Sequence, residues 1–180
     1  MKNIIVCIKQ VPMVSELPWD SQTRTLKRDL APGMMDPSSR RALEAALVLK
    51  ETHQSVVTVV TMGPPMAEEI LHQAVALGAD KGILLTDPAM AGADTCLTSE
   101  ILAACIQAHC PEFDLVLCGV CSTDSETGQV GPQLAEQLEL PSIGYVREMH
   151  IIGNILTVER HVDGFLETLE TGLPALLTID

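Results

Sequence analysis

The sequence predicts an α/β protein: a doubly wound, mostly parallel sheet with an antiparallel β extension. Short aliphatic runs alternate with segments of helical period, an order typical of parallel sheets with helices on both faces. Hydrophobic residues make up 47% of the 180 residues and aromatic residues only 2%. The core must therefore consist of aliphatic side chains, which is the composition of parallel strands buried on both faces.

Four short runs predict the strands of the parallel sheet. They are rich in β-branched and aliphatic residues, and most are closely followed by turn-forming residues. The runs cover residues 4–8, 55–61, 81–86 and 114–118.

Helical patterns lie between these strands and after the last one. Asp36 followed by Pro37 predicts an N-cap and a first helical position, and an apolar stripe of about 3.6-residue period then runs to Lys50. The other helices are predicted from the turn at 62–65 to Gly78, from the cap Asp94 through residue 106, and from residue 130 to residue 138, stopping near Pro141.

From residue 146 onward the pattern changes to β structure. Residues 149–152 and 155–159 flank Gly153 and Asn154, which predicts an antiparallel hairpin. Two further short strands are predicted at 165–168 and 175–179. We therefore expect one domain over residues 1–180, with an α/β core at 1–145 and a β-hairpin extension at 146–180.

Charge and cysteine usage limit the partners and the compartment. The net charge of −13 argues against nucleic acid and anionic membranes, because both require a basic face. No apolar run approaches the roughly 20 residues of a membrane span, so no membrane insertion is expected. The six cysteines lie mostly inside apolar elements, which is typical of reduced thiols in a cytoplasmic protein.

Ligands of open parallel sheets bind beyond the carboxyl ends of the strands. The residues to consider are therefore 7–10, 62–65 and the loop from residue 119 to residue 132. This loop contains three glycines, several hydroxyl groups and two acids, and it leads directly into a helix. Such a loop can bind a phosphate or a ribose, but a solvated loop with an ordinary helix cap has the same features. The sequence contains neither a Walker A motif nor G-x-G-x-x-G.

Cys118 and Cys121 form a C-x-x-C pair, which raises the alternative of a thiol redox protein. Reactive pairs of this kind need a lowered thiol pKa, whereas Cys118 ends an aliphatic strand and is expected to be buried. One C-x-x-C pair also provides only two of the four ligands of a structural zinc ion. The five histidines have no ligand spacing, so we predict no catalytic residue and no metal site.

Seven segments of the chain resemble electron transfer flavoprotein beta subunits, and their order is kept over essentially the whole length. The segments are 5–12, 42–51, 62–69, 76–80, 91–95, 128–136 and 173–178. The resemblance implies an adenine-nucleotide alpha-hydrolase-like fold and an electron carrier subunit rather than an enzyme. It also implies an electron transfer flavoprotein alpha subunit that holds FAD, and a flavoprotein dehydrogenase that supplies electrons.

The resemblance further implies that this chain binds AMP or FAD. The positions that match the nucleotide-binding pattern of the family are Cys7, Lys9, Asp36, Pro37, Ser38, Ser39, Met62, Gly119, Cys121, Ser122, Thr123, Asp124, Thr127, Gly128, Gln129, Val130 and Gly131.

The sequence departs from the family pattern in two places. Val120 and Cys121 stand where the family commonly has a basic residue followed by Gln. The chain also stops at Asp180, where family members continue, so we expect either a fragment or a shortened relative. A stand-alone adenine-nucleotide-binding or sensor domain of the same fold is therefore kept as an alternative function.

Overall fold

The structure, a computed structural model, describes residues 2–13, 19–20, 25–26 and 33–180. Its helices are α1 Pro37–His53, α2 Glu68–Leu77, α3 Thr95–His109 and α4 Val130–Gln137. Its strands are β1 Asn3–Cys7, β2 Gln10–Pro12, β3 Trp19–Asp20, β4 Thr25–Leu26, β5 Gly33–Met35, β6 Val56–Met62, β7 Lys81–Leu85, β8 Leu115–Gly119, β9 Ser142–Ile152, β10 Ile155–Val162, β11 Phe165–Gly172 and β12 Ala175–Ile179. Within the described residues, none of the helices has the length and apolar character needed to span a membrane.

The described residues form one eight-stranded sheet in the order β11-β10-β9-β12-β8-β1-β6-β7. Strands β7, β6, β1, β8 and β12 are parallel to their neighbours, and β9 is parallel to β12 but antiparallel to β10. From β1 the chain first builds outward through β6 and β7, and it then returns to the other side of β1 with β8. The strand order therefore reverses between β1 and β8, which is the position where open α/β sheets bind their ligands.

Two apolar clusters cover the two faces of this sheet. One contains Leu43 of α1 and Ile70 of α2, together with Leu156 and Val158 of the antiparallel strands. The other contains residues of α3 and α4, such as Ile106 and Leu134. Helices on both faces confirm the predicted doubly wound α/β fold, and the antiparallel strands β9 to β11 confirm the predicted extension.

The predicted helix boundaries follow from capping side chains. The Asp36 carboxylate accepts hydrogen bonds from the backbone N–H groups of Ser38 at 3.0 Å and Ser39 at 3.2 Å, and Asp94 accepts one from Leu97 at 2.8 Å. The first helix continues to His53 rather than ending near Lys50, because no residue that interrupts a helix occurs before Gln54, which adopts a left-handed conformation.

The final strand lies where the sequence did not predict it. The sequence predicts residues 175–179 as part of the hairpin extension, whereas β12 lies between β8 and β9 and is parallel to both. All five of its residues are buried, as expected for an inner parallel strand. The chain forms β9, β10 and β11 before it enters β12. The order of elements along the sequence therefore does not predict that β12 pairs with β8. The division of the domain at residues 145 and 146 stays a prediction.

Two glycines allow helices to approach the sheet closely. A Cβ atom on Gly131 would lie 2.7 Å from Thr178 Cγ2, and one on Gly119 would lie 2.6 Å from the carbonyl carbon of Ser38. Thus α4 packs directly on β12, and the first turn of α1 packs on the end of β8. These contacts fix the two helix N-termini nearest to the point where the strand order reverses.

We expect Gly131→Ala to lower the free energy of unfolding by about 1–3 kcal/mol, because the added methyl group overlaps Thr178. Thr178→Ser removes the opposing Cγ2 but keeps the hydroxyl oxygen that accepts a hydrogen bond from Tyr145 N at 3.1 Å. The cost of Gly131→Ala should therefore shrink in the Thr178→Ser background, as measured by a urea double-mutant cycle. Gly172→Ala is the control, since a Cβ there meets nothing within 4 Å. An equal cost in both backgrounds would contradict this account of the contact.

An ion pair joins α1 to the turn before β7. Lys50 Nζ donates to Asp80 Oδ1 at 2.6 Å and to the Gly78 carbonyl at 2.7 Å, while Asp80 Oδ2 accepts from Val57 N at 2.8 Å. Burial acts to raise the pKa of Asp80, but the hydrogen bonds and the charges of Lys50 and Lys81 outweigh it and leave that pKa below its usual value. The ionised carboxylate therefore stabilises the fold.

We expect Asp80→Asn to lose less stability on acidification than the parent chain. The folded pKa of Asp80 is lower than the unfolded value of about 3.9, so its contribution is present above that value and is lost as the pH falls through the folded pKa. Urea unfolding at about pH 7 and about pH 3 measures the difference. The exposed turn residue Asp163, changed to Asn, is the control and should behave as the parent. If Asp80→Asn and the parent lose equal stability, the ion pair does not contribute to folding.

Candidate functional site

A large cavity opens at the carboxyl ends of β1, β6, β7 and β8. Its volume is about 1140 Å³, and most of its lining comes from segments that follow these four strands. The segments lie within residues 7–12, 62–66, 86–95 and 118–131. The cavity therefore lies at the point of strand-order reversal that the sheet topology defines.

The structure brings most of the predicted binding residues together at this cavity. Those that line it are Cys7, Lys9, Ser39, Met62, Gly119, Cys121, Ser122, Asp124, Thr127, Gly128, Gln129, Val130 and Gly131. The remaining four, Asp36, Pro37, Ser38 and Thr123, do not line the cavity.

Asp36 joins two walls of the cavity. Its side chain is only 1% exposed. Asp36 caps α1 through its Oδ2 atom, whereas its Oδ1 atom accepts hydrogen bonds from the backbone N–H of Thr123 at 2.8 Å and from the Thr123 hydroxyl at 3.0 Å. Asp36 and Thr123 therefore position the loop after β8 instead of facing a ligand.

Lys9 connects the end of β1 to the same loop. Its Nζ donates to Asp124 Oδ1 at 2.6 Å and to Ser122 Oγ at 3.0 Å. Ser122 also donates to Asp124 at 2.7 Å and lies 2.9 Å from the Ser125 hydroxyl oxygen. Burial acts to raise the pKa of Asp124, but the hydrogen bonds from Lys9 and Ser122 outweigh it, so that pKa is lowered. Asp124 therefore remains ionised at neutral pH.

The charged groups of the cavity do not favour an anion by themselves. Among the described lining residues, Lys9 is the only Lys or Arg, and it is paired with Asp124. The lining also contains Asp87 and Asp94, each of which caps a helical turn. An anionic ligand must therefore be bound mainly by backbone N–H groups.

The N-terminus of α4 supplies such groups. Gly128 has a φ of 63°, and the cap residue Gln129 makes no side-chain hydrogen bond to the helix. The Gln129 side chain instead accepts from the Thr95 hydroxyl at 3.0 Å. Within the described part of the chain, the N–H groups of Gly128, Gln129, Val130 and Gly131 have no acceptor. Unpaired N–H groups at a helix N-terminus are an established way of binding phosphate.

The hydroxyl groups predicted to contact a ligand differ in availability. Those of Ser122, Thr123 and Ser125 are already engaged with other side chains. The Thr127 hydroxyl has no partner among the residues that the structure describes, and it lines the cavity one residue before Gly128. Thr127 is therefore the loop hydroxyl best placed for a ligand.

Cys7 and Cys118 lie at the carboxyl ends of β1 and β8 and form the floor of the cavity. They are not arranged as the C-x-x-C motif suggests. Cys118 lies opposite Cys7 of β1 in the parallel register. The interaction with the Cys118 thiol and burial raise the pKa of Cys7. A thioredoxin-like site needs the opposite shift.

The segment that follows β7 also lines the cavity, and it is not among the predicted binding positions. This segment includes Thr86, Asp87, Gly92, Asp94 and Thr95. The strand-end rule that selected the other three segments applies equally to the strand ending at Leu85. The position of this segment after a parallel strand is therefore the sequence signal that identifies it.

Comparison with known proteins places this geometry in a family. The profile described as the electron transfer flavoprotein domain matches residues 23–180. An electron transfer flavoprotein subunit beta of Thermoanaerobacterium thermosaccharolyticum is 45% identical over 176 residues, which are 98% of this chain and 67% of that protein.

Two further relatives have related names. The caffeyl-CoA reductase-Etf complex subunit CarD of Acetobacterium woodii is 43% identical over 177 residues, covering 98% of this chain and 67% of the relative. Protein FixA of Azorhizobium caulinodans is 40% identical over 183 residues, covering 98% of this chain and 65% of the relative. The chain thus spans about two thirds of the length of these proteins.

These findings confirm the resemblance that the sequence motifs indicated, and they support the electron-carrier interpretation rather than the sensor alternative. This chain belongs to the electron transfer flavoprotein family.

Proposed function

We propose that this chain is the beta-type subunit of a cytoplasmic electron carrier and that it holds an adenine nucleotide, AMP or FAD, in the cavity. It acts with an alpha subunit that holds FAD, receives electrons from a flavoprotein dehydrogenase, and catalyses no reaction of its own. The names of its relatives, which include beta subunits and a subunit of a reductase–Etf complex, support this assignment.

The observation that carries the proposal is the open N-terminus of α4. The residues that carry its unpaired N–H groups line a cavity at the reversal point of a parallel sheet, where nucleotides are typically bound. The positive end of the helix dipole adds to the attraction. In this arrangement, the segment from Thr127 to Gly131 holds a phosphate.

The other predicted residues have supporting roles in the same proposal. Lys9 is the one Lys or Arg in the described lining. It can bind a phosphate if the phosphate replaces Asp124 as its hydrogen-bond partner. Cys7, Met62 and Cys121 form the less polar surface on which an adenine ring or its ribose can lie. Asp36, at the start of α1, holds the loop after β8 in place through its hydrogen bonds with Thr123.

The dimensions of the cavity fit both candidate ligands. Pockets for single small ligands typically measure about 300–1,000 Å³, and this cavity measures about 1140 Å³. An adenylate group held at α4 therefore leaves space for the second half of a dinucleotide. A bound FAD would supply the redox chemistry, while the chain would supply position and exclude water.

The first test is nucleotide analysis of the chain, purified alone and then co-expressed with a candidate alpha subunit. Denatured protein should release AMP or FAD, which chromatography and absorbance identify. AMP with one flavin per complex indicates a single-flavin carrier, and a flavin on this chain in addition to that of the alpha subunit indicates a two-flavin system. A chain that releases neither ligand and binds neither when supplied contradicts the proposal.

We expect Gly128→Ala to weaken AMP binding about tenfold or more, because Gly128 has a φ of 63° and aims the N–H groups of the helix start. A Cβ there meets only Val120 O at 3.6 Å, so backbone strain of about 1–2 kcal/mol is the main effect. Calorimetric titration measures the affinity.

Gly164→Ala is the matched control for this experiment. Gly164 has a φ of 81° in the turn between β10 and β11, where a Cβ meets nothing within 4 Å. Both variants should lose similar stability in urea, but only Gly128→Ala should lose affinity. Equal affinity in the two variants would show that the start of α4 does not bind the phosphate.

A further inference from the structure

Cys7 and Cys118 form a pair of thiols at the floor of the cavity. Cys7 ends β1, and Cys118 lies directly opposite it in the parallel register of β8. Residues in register on neighbouring parallel strands direct their side chains to the same face of the sheet. Both residues line the cavity, and Cys118 is only 5% exposed.

The spacing of parallel strands permits a covalent bond between these two residues. Neighbouring strands lie about 4.7–4.9 Å apart, and the Cα atoms of disulfides are usually about 4.4–6.8 Å apart. Their Cβ atoms must move together to reach disulfide geometry. The bond would therefore be strained and readily reduced, as is typical of labile disulfides.

Cys121, the other cysteine of the C-x-x-C motif, lies outside the strand. β8 ends at Gly119, and the chain bends at Val120 before it reaches Cys121. The cysteine in register with Cys118 is Cys7. The sheet therefore places Cys118 beside Cys7.

We propose that Cys7 and Cys118 are an oxidative modification site, and that hydrogen peroxide converts them into a reversible disulfide at the floor of the cavity. In the first step, one thiol loses its proton and attacks the peroxide as a thiolate, the O–O bond breaks, and the products are a sulfenic acid and water. Because the neighbouring Cys118 thiol and burial raise the pKa of Cys7, this step is slow at neutral pH and faster at alkaline pH. The second thiol then displaces the hydroxyl group as water and forms the S–S bond. In total, two thiols lose two electrons and two protons, and one peroxide becomes two waters.

Bound nucleotide shields this pair from oxidation. The floor lies at the reversal point between β1 and β8, beneath the space assigned to the ligand. A ligand there restricts access of peroxide to both sulfur atoms. This step rests on the proposed function, whereas formation of the disulfide in the free chain does not.

The test is peroxide treatment of the nucleotide-free chain, followed by acid quenching and alkylation. Trypsin and endoproteinase Asp-N together place Cys7 in peptide 3–9 and both Cys118 and Cys121 in peptide 114–123. We expect these peptides to be linked, the count of six free thiols to fall by two, and dithiothreitol to restore it.

Two variants identify the sulfur atoms. Cys121→Ser should still form the link, and Cys118→Ser should lose it. Cys7→Ala, which must also lose the link, serves as the second variant if Cys118→Ser does not fold, with circular dichroism as the folding check. A link that disappears in Cys121→Ser overturns the proposal. The proposal is also overturned if peroxide oxidises the exposed Cys96 while Cys7 and Cys118 remain free and can still be alkylated.

Repeating the oxidation with saturating AMP tests the shielding step. We expect the rate of link formation to fall about tenfold or more. If the link forms freely and AMP neither binds nor slows it, the nucleotide proposal fails while the thiol site stands. If AMP binds but leaves the rate unchanged, the position of the thiols beneath the ligand is wrong.

Discussion

The cavity depends on one buried carboxylate. Asp36 accepts four hydrogen bonds: two from the first turn of α1, and two from the backbone and hydroxyl of Thr123. Hydrogen bonds to a charged group contribute about 1.5–3 kcal/mol each. This one side chain therefore joins the first turn of α1 to the loop after β8. Because that loop leads directly into α4, the same contact helps to position the start of α4.

An acidic chain can bind an anionic nucleotide because its recognition does not depend on side-chain charge. The chain has a net charge of −13, and Lys9, the one cation of the described lining, is paired with Asp124. Fixed N–H dipoles at a helix start provide local positive potential that is independent of the overall charge. Since Val120 and Cys121 add no cation, the affinity depends strongly on how accurately the backbone is held.

The sequence predicted the parts of the fold that local patterns determine. Asp36 before Pro37 determined a helix start, and the aliphatic runs determined the parallel strands. It did not predict the central position of β12, because β12 pairs with β8 although β9, β10 and β11 lie between them in sequence. Nor did it predict that Asp36 lies outside the cavity lining. An Asp cap and an Asp ligand have the same sequence pattern, and only the Thr123 contact distinguishes them.

The glycines of the loop after β8 show why motif resemblance and physical role must be separated. Gly119 and Gly131 both match the nucleotide-binding pattern, yet each is required because a Cβ would overlap Ser38 or Thr178. Gly128 alone among these three has a left-handed φ, and it lies shortly before the start of α4. The motif therefore combines two constraints: close packing that fixes where α4 begins, and one flexible position that directs its free donors. The free N–H groups are available to a ligand only because close packing fixes the position of α4.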